Sequence, residues 1–169
     1  MRILVVDDEA TIRDSLKDIL ESEGFDVELA GDGIQALQIL GDQEFDLILS
    51  DIKMPRMDGI ELLTHCARHY AHLPIIMISA HGNVQTAVEA TKLGAFDFIT
   101  KPLDLDRLLI TIRNALQIRA LKQEAITWTQ DDLDPVELQG QSPALLSLKE
   151  TLLRVAPTDV RILISGQAG

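Results

Sequence analysis

No apolar run in this chain approaches the roughly 20 residues that a membrane helix requires. The first ten residues lack the basic start and small-residue cleavage site of a secretory signal. A single cysteine, Cys66, excludes an internal disulfide framework and a multi-cysteine zinc site, and reads as a small residue on a helix. Basic residues are in deficit: the net charge is −12. Nucleic-acid affinity comes mainly from Lys and Arg neutralising phosphates, so this stretch is a poor candidate for it. These absences together predict a cytoplasmic protein. The length, 169 residues, suits one domain and part of another, and at 46% hydrophobic the chain can bury a core.

Short apolar runs alternate with longer amphipathic stretches. Strands are predicted at residues 3–6, 25–29, 45–50, 75–78 and 96–100. Helices are predicted between them. Ile12, Leu16, Ile19 and Leu20 mark the first, and Gly24 ends it. Ala36, Leu37 and Leu40 mark the second; Ile60, Leu62, Leu63 and Ala67 the third. A fourth covers about 83–93, closed by Gly94, and a fifth begins near Asp104. Strands that are apolar without alternation are buried on both faces. The fold class expected is therefore α/β: a five-stranded parallel sheet with helices on both faces and a long C-terminal linker helix. Ligands in such sheets bind at the carboxyl ends of the strands, near a switch in strand order.

Those ends carry the chemistry. The first strand stops at Asp7 and Asp8, the third at Asp51, the fourth at Ser79 and the fifth at Lys101. Clustered carboxylates repel unless a cation sits among them, and all-oxygen ligands with room for water suit Mg²⁺. Lysine and serine can hold phosphoryl oxygens, and a carboxylate can itself carry phosphate as an acyl phosphate. Taken singly each residue is weak evidence: an Asp after a strand is commonly a helix cap, and Lys-Pro commonly just turns the chain. The βα count places all five on one edge. The histidines are scattered: His65, His69 and His72 on or after a surface helix, where solvation is the expected state, and His81 just past Ser79.

The matching motifs are Val5-Val6-Asp7-Asp8-Glu9, Asp51-Ile52-Lys53-Met54-Pro55-Arg56-Met57-Asp58-Gly59, Ile78-Ser79-Ala80-His81-Gly82 and Phe98-Ile99-Thr100-Lys101-Pro102. Together they resemble the receiver domain of bacterial response regulators (flavodoxin-like, CheY-like) over about residues 1–120. The resemblance implies that Asp51 accepts phosphate from the phosphohistidine of a sensor histidine kinase. It implies Mg²⁺ bound by Asp8, Asp51 and the Lys53 backbone carbonyl, with Asp7 acting through water. Ser79 and Lys101 would hold phosphoryl oxygens, and the Lys101–Pro102 bond would be cis. The implied switch couples Ser79 to Phe98, against the plainer reading of Phe98 as half-buried packing. Lys53 and His81 occupy positions where the family tunes phosphate lifetime.

Beyond the fifth strand, Leu105, Leu109, Ile112 and Leu116 share one helix face, while Ile118, Leu121, Ala125 and Trp128 form a second stripe. Leu116 to Ile118 is a rotation of roughly 200°, so the second stripe points away from the first. The first is expected on the sheet, the second in a homodimer seam resembling a short coiled coil; the competing reading is a frayed, exposed tail. Residues 121–137 form the helix end and an acidic linker. Residues 138–169 carry Ser142 as a potential helix cap for Leu145, Leu148 and Leu152, a strand at 160–164, then Gly166-Gln167-Ala168-Gly169. This tail resembles the opening of the AAA+ ATPase domain of NtrC-class activators of sigma-54 RNA polymerase. It stops before the lysine of a phosphate-binding loop, and Gln167 stands where the family usually has an acid. On this reading the chain is an incomplete piece of a transcription regulator whose sigma-54 and DNA contacts lie elsewhere.

The expected function is thus a two-component phosphorelay switch that governs a downstream ATPase through dimer arrangement. It is expected to be no turnover enzyme beyond self-phosphorylation and slow autodephosphorylation. One rival is an aspartyl-phosphate phosphatase, which normally carries a second acid two residues after its nucleophile; Lys53 stands there. The other is a binding-only pseudo-receiver, against which the complete Asp, Ser and Lys set argues.

Overall fold

A computed structural model describes residues 1–80 and 84–131, the side chains of 124–131 excepted, together with Ser142 and Leu148. Met1–Ala125 forms one compact unit, and Ile126–Gly169 is a second. His81, Leu145, Leu152, the strand expected at 160–164, Gly166 to Gly169, and the side chains of Ala125 and Trp128 lie outside the described residues.

The first unit is five βα repeats. The strands are β1 (Arg2–Val6), β2 (Asp26–Ala30), β3 (Leu47–Asp51), β4 (Ile75–Ser79) and β5 (Asp97–Thr100). The helices are α1 (Ala10–Ser22), α2 (Gly33–Asp42), α3 (Gly59–His69), α4 (Val84–Lys92) and α5 (Leu105–Asp131). The strands pair in parallel in the order β2-β1-β3-β4-β5. The order reverses between β1 and β3, so the crevice predicted for ligands opens between the ends of those two strands.

Strand side chains alternate faces, and both faces are covered. Leu4, Val6, Ile48 and Met77 pack with Ala36, Leu40, Leu62, Leu63 and Cys66 of α2 and α3. Ile3, Val5, Leu49, Ile76 and Ile78 pack with Leu16 and Leu20 of α1 and Leu108, Ile112, Ala115 and Leu116 of α5. That double burial is why β1, β3 and β4 are apolar runs rather than alternating ones.

Local signals set the boundaries. Asp32 caps α2, its Oδ1 accepting from the Gln35 amide at 2.9 Å. Asp58 and Glu61 form a reciprocal capping box at α3. Gly24 and Gly94 follow α1 and α4 with φ of 85° and 101°, a conformation glycine adopts without penalty.

Three face assignments differ from the sequence reading. Leu105 is exposed, and Leu108 and Ala115 supply the burial instead. Leu105 is the first residue of α5, and contact with the sheet begins a turn later. Ala67 is exposed, while its neighbour Cys66 is buried, and burial pushes the Cys66 thiol up to about 11. His65 is half-buried rather than solvated, its ring 4.5 Å from that of the exposed His69.

Candidate functional site

Register explains how distant residues meet. Val6 pairs with Ser50, Asp51 with Ile78, and Ser79 with Thr100. Asp7 and Lys101 are the next residues along β1 and β5. Asp7, Asp51, Ser79 and Lys101 therefore step along one edge of the sheet. Backbone bonds fasten the corners: the Asp7 amide donates to Ala30 O at 3.2 Å, and the Lys101 amide to Ser79 O at 2.7 Å.

The centre of the site is one ammonium between two carboxylates. Lys101 Nζ lies 2.8 Å from Asp7 Oδ2 and 2.8 Å from Asp51 Oδ1, with Glu9 Oε1 at 3.8 Å. Asp7, Asp51 and Ser79 are all buried. Asp7 Oδ1 accepts from the Glu9 amide at 2.9 Å, and Asp51 Oδ2 from the Lys53 amide at 2.7 Å.

Burial pushes the Asp51 carboxyl above the ordinary aspartate value. The hydrogen bond and charge of Lys101 and the Lys53 amide pull it back only in part, and the Asp7 charge adds to the rise. Burial opposes the charge on Lys101, but Asp51 and Asp7 together outweigh that and hold the ammonium above its ordinary value. Both members of a close ion pair thus move upward. The reason is stoichiometric: two buried carboxylates share one cation, which is held tightly while Asp51 remains under-compensated.

Asp8 is exposed at the mouth of the site. Among the described residues no three His, Cys, Asp or Glu side chains converge as a ready ligand set. The donor chemistry nevertheless fits a hard divalent cation, because the ligands offered are oxygens and the acids outnumber the lysine. Asp51 Oδ1 faces the Lys101 ammonium at 2.8 Å, and as a carboxylate oxygen it has a second lone pair that a cation could take.

The Lys101–Pro102 peptide is cis. Phe98 is half-buried and packs on the α2–α3 side of the sheet. Ile118 and Leu121 are exposed on α5. One feature the sequence reading missed is an ion pair between Arg56, in the β3–α3 loop, and the buried Asp32. Another is a pair between Arg119 on α5 and Asp46, whose Oδ2 also accepts from the Arg2 amide at 2.7 Å. Neither pair leaves a periodicity or a motif in the sequence.

The sequence profile described as "Response regulator receiver domain" matches residues 3–113. The transcriptional regulatory protein ZraR of Klebsiella oxytoca is 40% identical over 167 residues, covering 99% of this chain and 37% of ZraR. The crystal structure of NtrX from Brucella abortus is 40% identical, covers 99% of this chain and 37% of that one, and superposes with a TM-score of 0.76. The solution structure of a beryllofluoride-activated NtrC4 receiver domain dimer is 37% identical, covers 70% of this chain and 98% of that one, with a TM-score of 0.67. The chain spans little more than a third of the length of the curated relatives it matches.

Proposed function

The chain belongs to the response regulator receiver family, in the NtrC class, and on that premise we propose that it is a phosphorylation switch in which Asp51 takes the phosphoryl group. The observation that carries this is the Asp51 carboxylate, buried at the end of β3 and facing Lys101 beside Asp7. In the transfer, an Asp51 oxygen bonds to phosphorus as the phosphorus–nitrogen bond of a sensor kinase's phosphohistidine breaks. The electron pair returns to the imidazole, which then takes a proton. Lys101, attracted at first by two carboxylates, is positioned to pair with a phosphoryl oxygen once Asp51 carries the acyl phosphate. Ser79, next along the edge, is positioned for another oxygen, and its displacement toward phosphate would be felt at Phe98 on the adjacent strand. Asp7, Asp8, Asp51 and the Lys53 carbonyl would hold Mg²⁺, which when bound supplies charge neutralisation for the phosphoryl oxygens.

The receiver would occupy residues 1–120, followed by the helix end and linker at 121–137 and the start of an AAA+ domain at 138–169. The profile match to 3–113 supports the first boundary. The exposed Ile118 and Leu121 support a homodimer seam along α5. Kinase input would reset that dimer and, through it, a sigma-54-directed ATPase of the whole protein in the cytoplasm. No helix among the described residues is long and apolar enough to cross a membrane.

The test is incubation with Mg²⁺ and acetyl phosphate, or with beryllofluoride, followed by mass and oligomer size. A stoichiometric adduct that is lost in Asp51→Asn is the expected result. Rapid release of phosphate without a lasting adduct would indicate a phosphatase instead, and the absence of both adduct and metal binding a pseudo-receiver.

A further inference from the structure

The loop between β3 and α3 carries Lys53 past Asp51, and it is fastened at both ends. At its start the Ile52 amide donates to Ile78 O at 3.0 Å and the Lys53 amide to Asp51 Oδ2 at 2.7 Å. At its end the Gly59 amide donates to Ile52 O at 2.8 Å, beside the Asp58–Glu61 capping box. Its middle is tied to a different part of the chain. The Gly33 amide donates to Met57 O at 3.2 Å, and the Met57 side chain packs so closely that a Cβ at Gly33 would stand 2.6 Å from Met57 Cγ. Beside that contact the Arg56 guanidinium pairs with Asp32.

Asp32 is fully buried. Its Oδ1 is committed to the α2 cap, so Arg56 is the counter-charge for Oδ2. A buried carboxylate without a partner is costly by several kcal/mol, whereas the exposed Arg56 would lose little in water. Arg56 also has a φ of 67°, the left-handed region that costs a non-glycine residue roughly 1 kcal/mol. The need of the buried carboxylate outweighs that strain and holds the loop in its turn.

We propose that Asp32 and Arg56 are positioning residues: their ion pair latches the middle of the loop to the start of α2 and so fixes the Lys53 backbone against Asp51. Neither touches the reacting atoms. Their influence on phosphate chemistry rests on the phosphoacceptor reading above, but their hold on the Lys53 backbone does not.

The experiment uses the whole chain with Arg56→Ala, Arg56→Lys, Asp32→Asn and the Arg56→Ala/Asp32→Asn double variant. Asn keeps the capping oxygen while removing the charge, so Asp32→Asn is expected to fold. Two quantities are read: hydrogen exchange at the Lys53 amide without metal, and the Mg²⁺ midpoint for phosphorylation by acetyl phosphate. Arg56→Ala and Asp32→Asn are each expected to speed Lys53 exchange and raise the midpoint by about tenfold. Arg56→Lys should recover part of the loss, and the double variant should be no worse than the worse single one. Unchanged Lys53 exchange in Arg56→Ala, or additive losses in the double variant, overturns the latch. If the unaltered chain takes no phosphate, the phosphoacceptor reading fails, and Lys53 exchange still decides the latch.

Discussion

Gly59 lies directly beneath Asp51: a Cβ built on Gly59 would stand 2.1 Å from the Asp51 carbonyl oxygen. No side chain at that position can share the space, and the obstacle is backbone rather than a flexible side-chain end. The first turn of α3 and the end of β3 are therefore in contact through bare main chain. This contact gives the Asp-Gly at the start of α3 a physical meaning beyond helix capping.

Gly59→Ala is accordingly expected to displace Asp51 or the α3 N-terminus, at a cost of about 1–3 kcal/mol or more. Denaturant unfolding measures the stability, and the acetyl-phosphate reaction measures whether Asp51 remains aligned. A fully stable variant with unchanged phosphorylation would contradict the contact.

Lys101→Met removes the cation shared by Asp7 and Asp51. Loss of one partner from a buried pair costs on the order of 3 kcal/mol. The pH dependence gives the sign. The Lys101 pKa is raised in the fold, so its contribution is full below the ordinary lysine value and is lost as pH rises through the higher folded value. The Asp51 pKa is also raised, so burying it charged is unfavourable at neutral pH, and that penalty is relieved as pH falls through the folded value toward 3.8. The deficit of Lys101→Met against the unaltered chain should be largest near neutral pH and shrink on acidification. Urea titrations at several pH values check this. A deficit independent of pH would mean that packing, not charge, is what Lys101 supplies.

Asp46 has the opposite sign. Burial pushes its carboxyl up, but the Arg2 amide and the hydrogen bond and charge of Arg119 outweigh burial and hold it below 3.8. Its contribution is present above the ordinary value and lost as pH falls through the folded one. Arg119→Ala should reduce stability at neutral pH and make the chain less sensitive to further acidification. Acid titration of the melting temperature of the two chains is the comparison.

The sheet and the identity of its edge residues were legible from sequence because both follow from counting. Apolar runs mark strands, and whatever ends each run sits on one rim; even Lys101, 94 positions from Asp7, falls into place this way. Long-range loop contacts leave no such trace. Arg56 and Asp32 belong to two different loops, and nothing in their spacing announces that one is buried and the other reaches it. Helix phase was legible only within a turn. Leu105 and Leu108 are both apolar and both compatible with a stripe through Ile112, and only the point where α5 meets the sheet decides between them. That decision is measurable: Leu108→Ala should cost about 2–5 kcal/mol and Leu105→Ala under about 1 kcal/mol. Equal costs would mean that the helix is rotated from the phase described.

Ile118 and Leu121 test the proposed seam. They are 43% and 56% exposed, on the stretch of α5 just after its last sheet-facing residue, Leu116. Exposed apolar residues scattered on a helix need no partner, but two at i, i+3 on an extension past the core are what a helix–helix seam would use. Glutamate at both places leaves the receiver core untouched, so folding should survive. Sedimentation should then report a monomer, against the dimer expected of the unaltered chain. A chain cut near Leu116 should also be monomeric, although it loses the Arg119–Asp46 pair as well, which makes the double glutamate variant the cleaner of the two. A dimer that persists in both would place the interface on another face of the receiver and leave the α5 extension without a role in assembly.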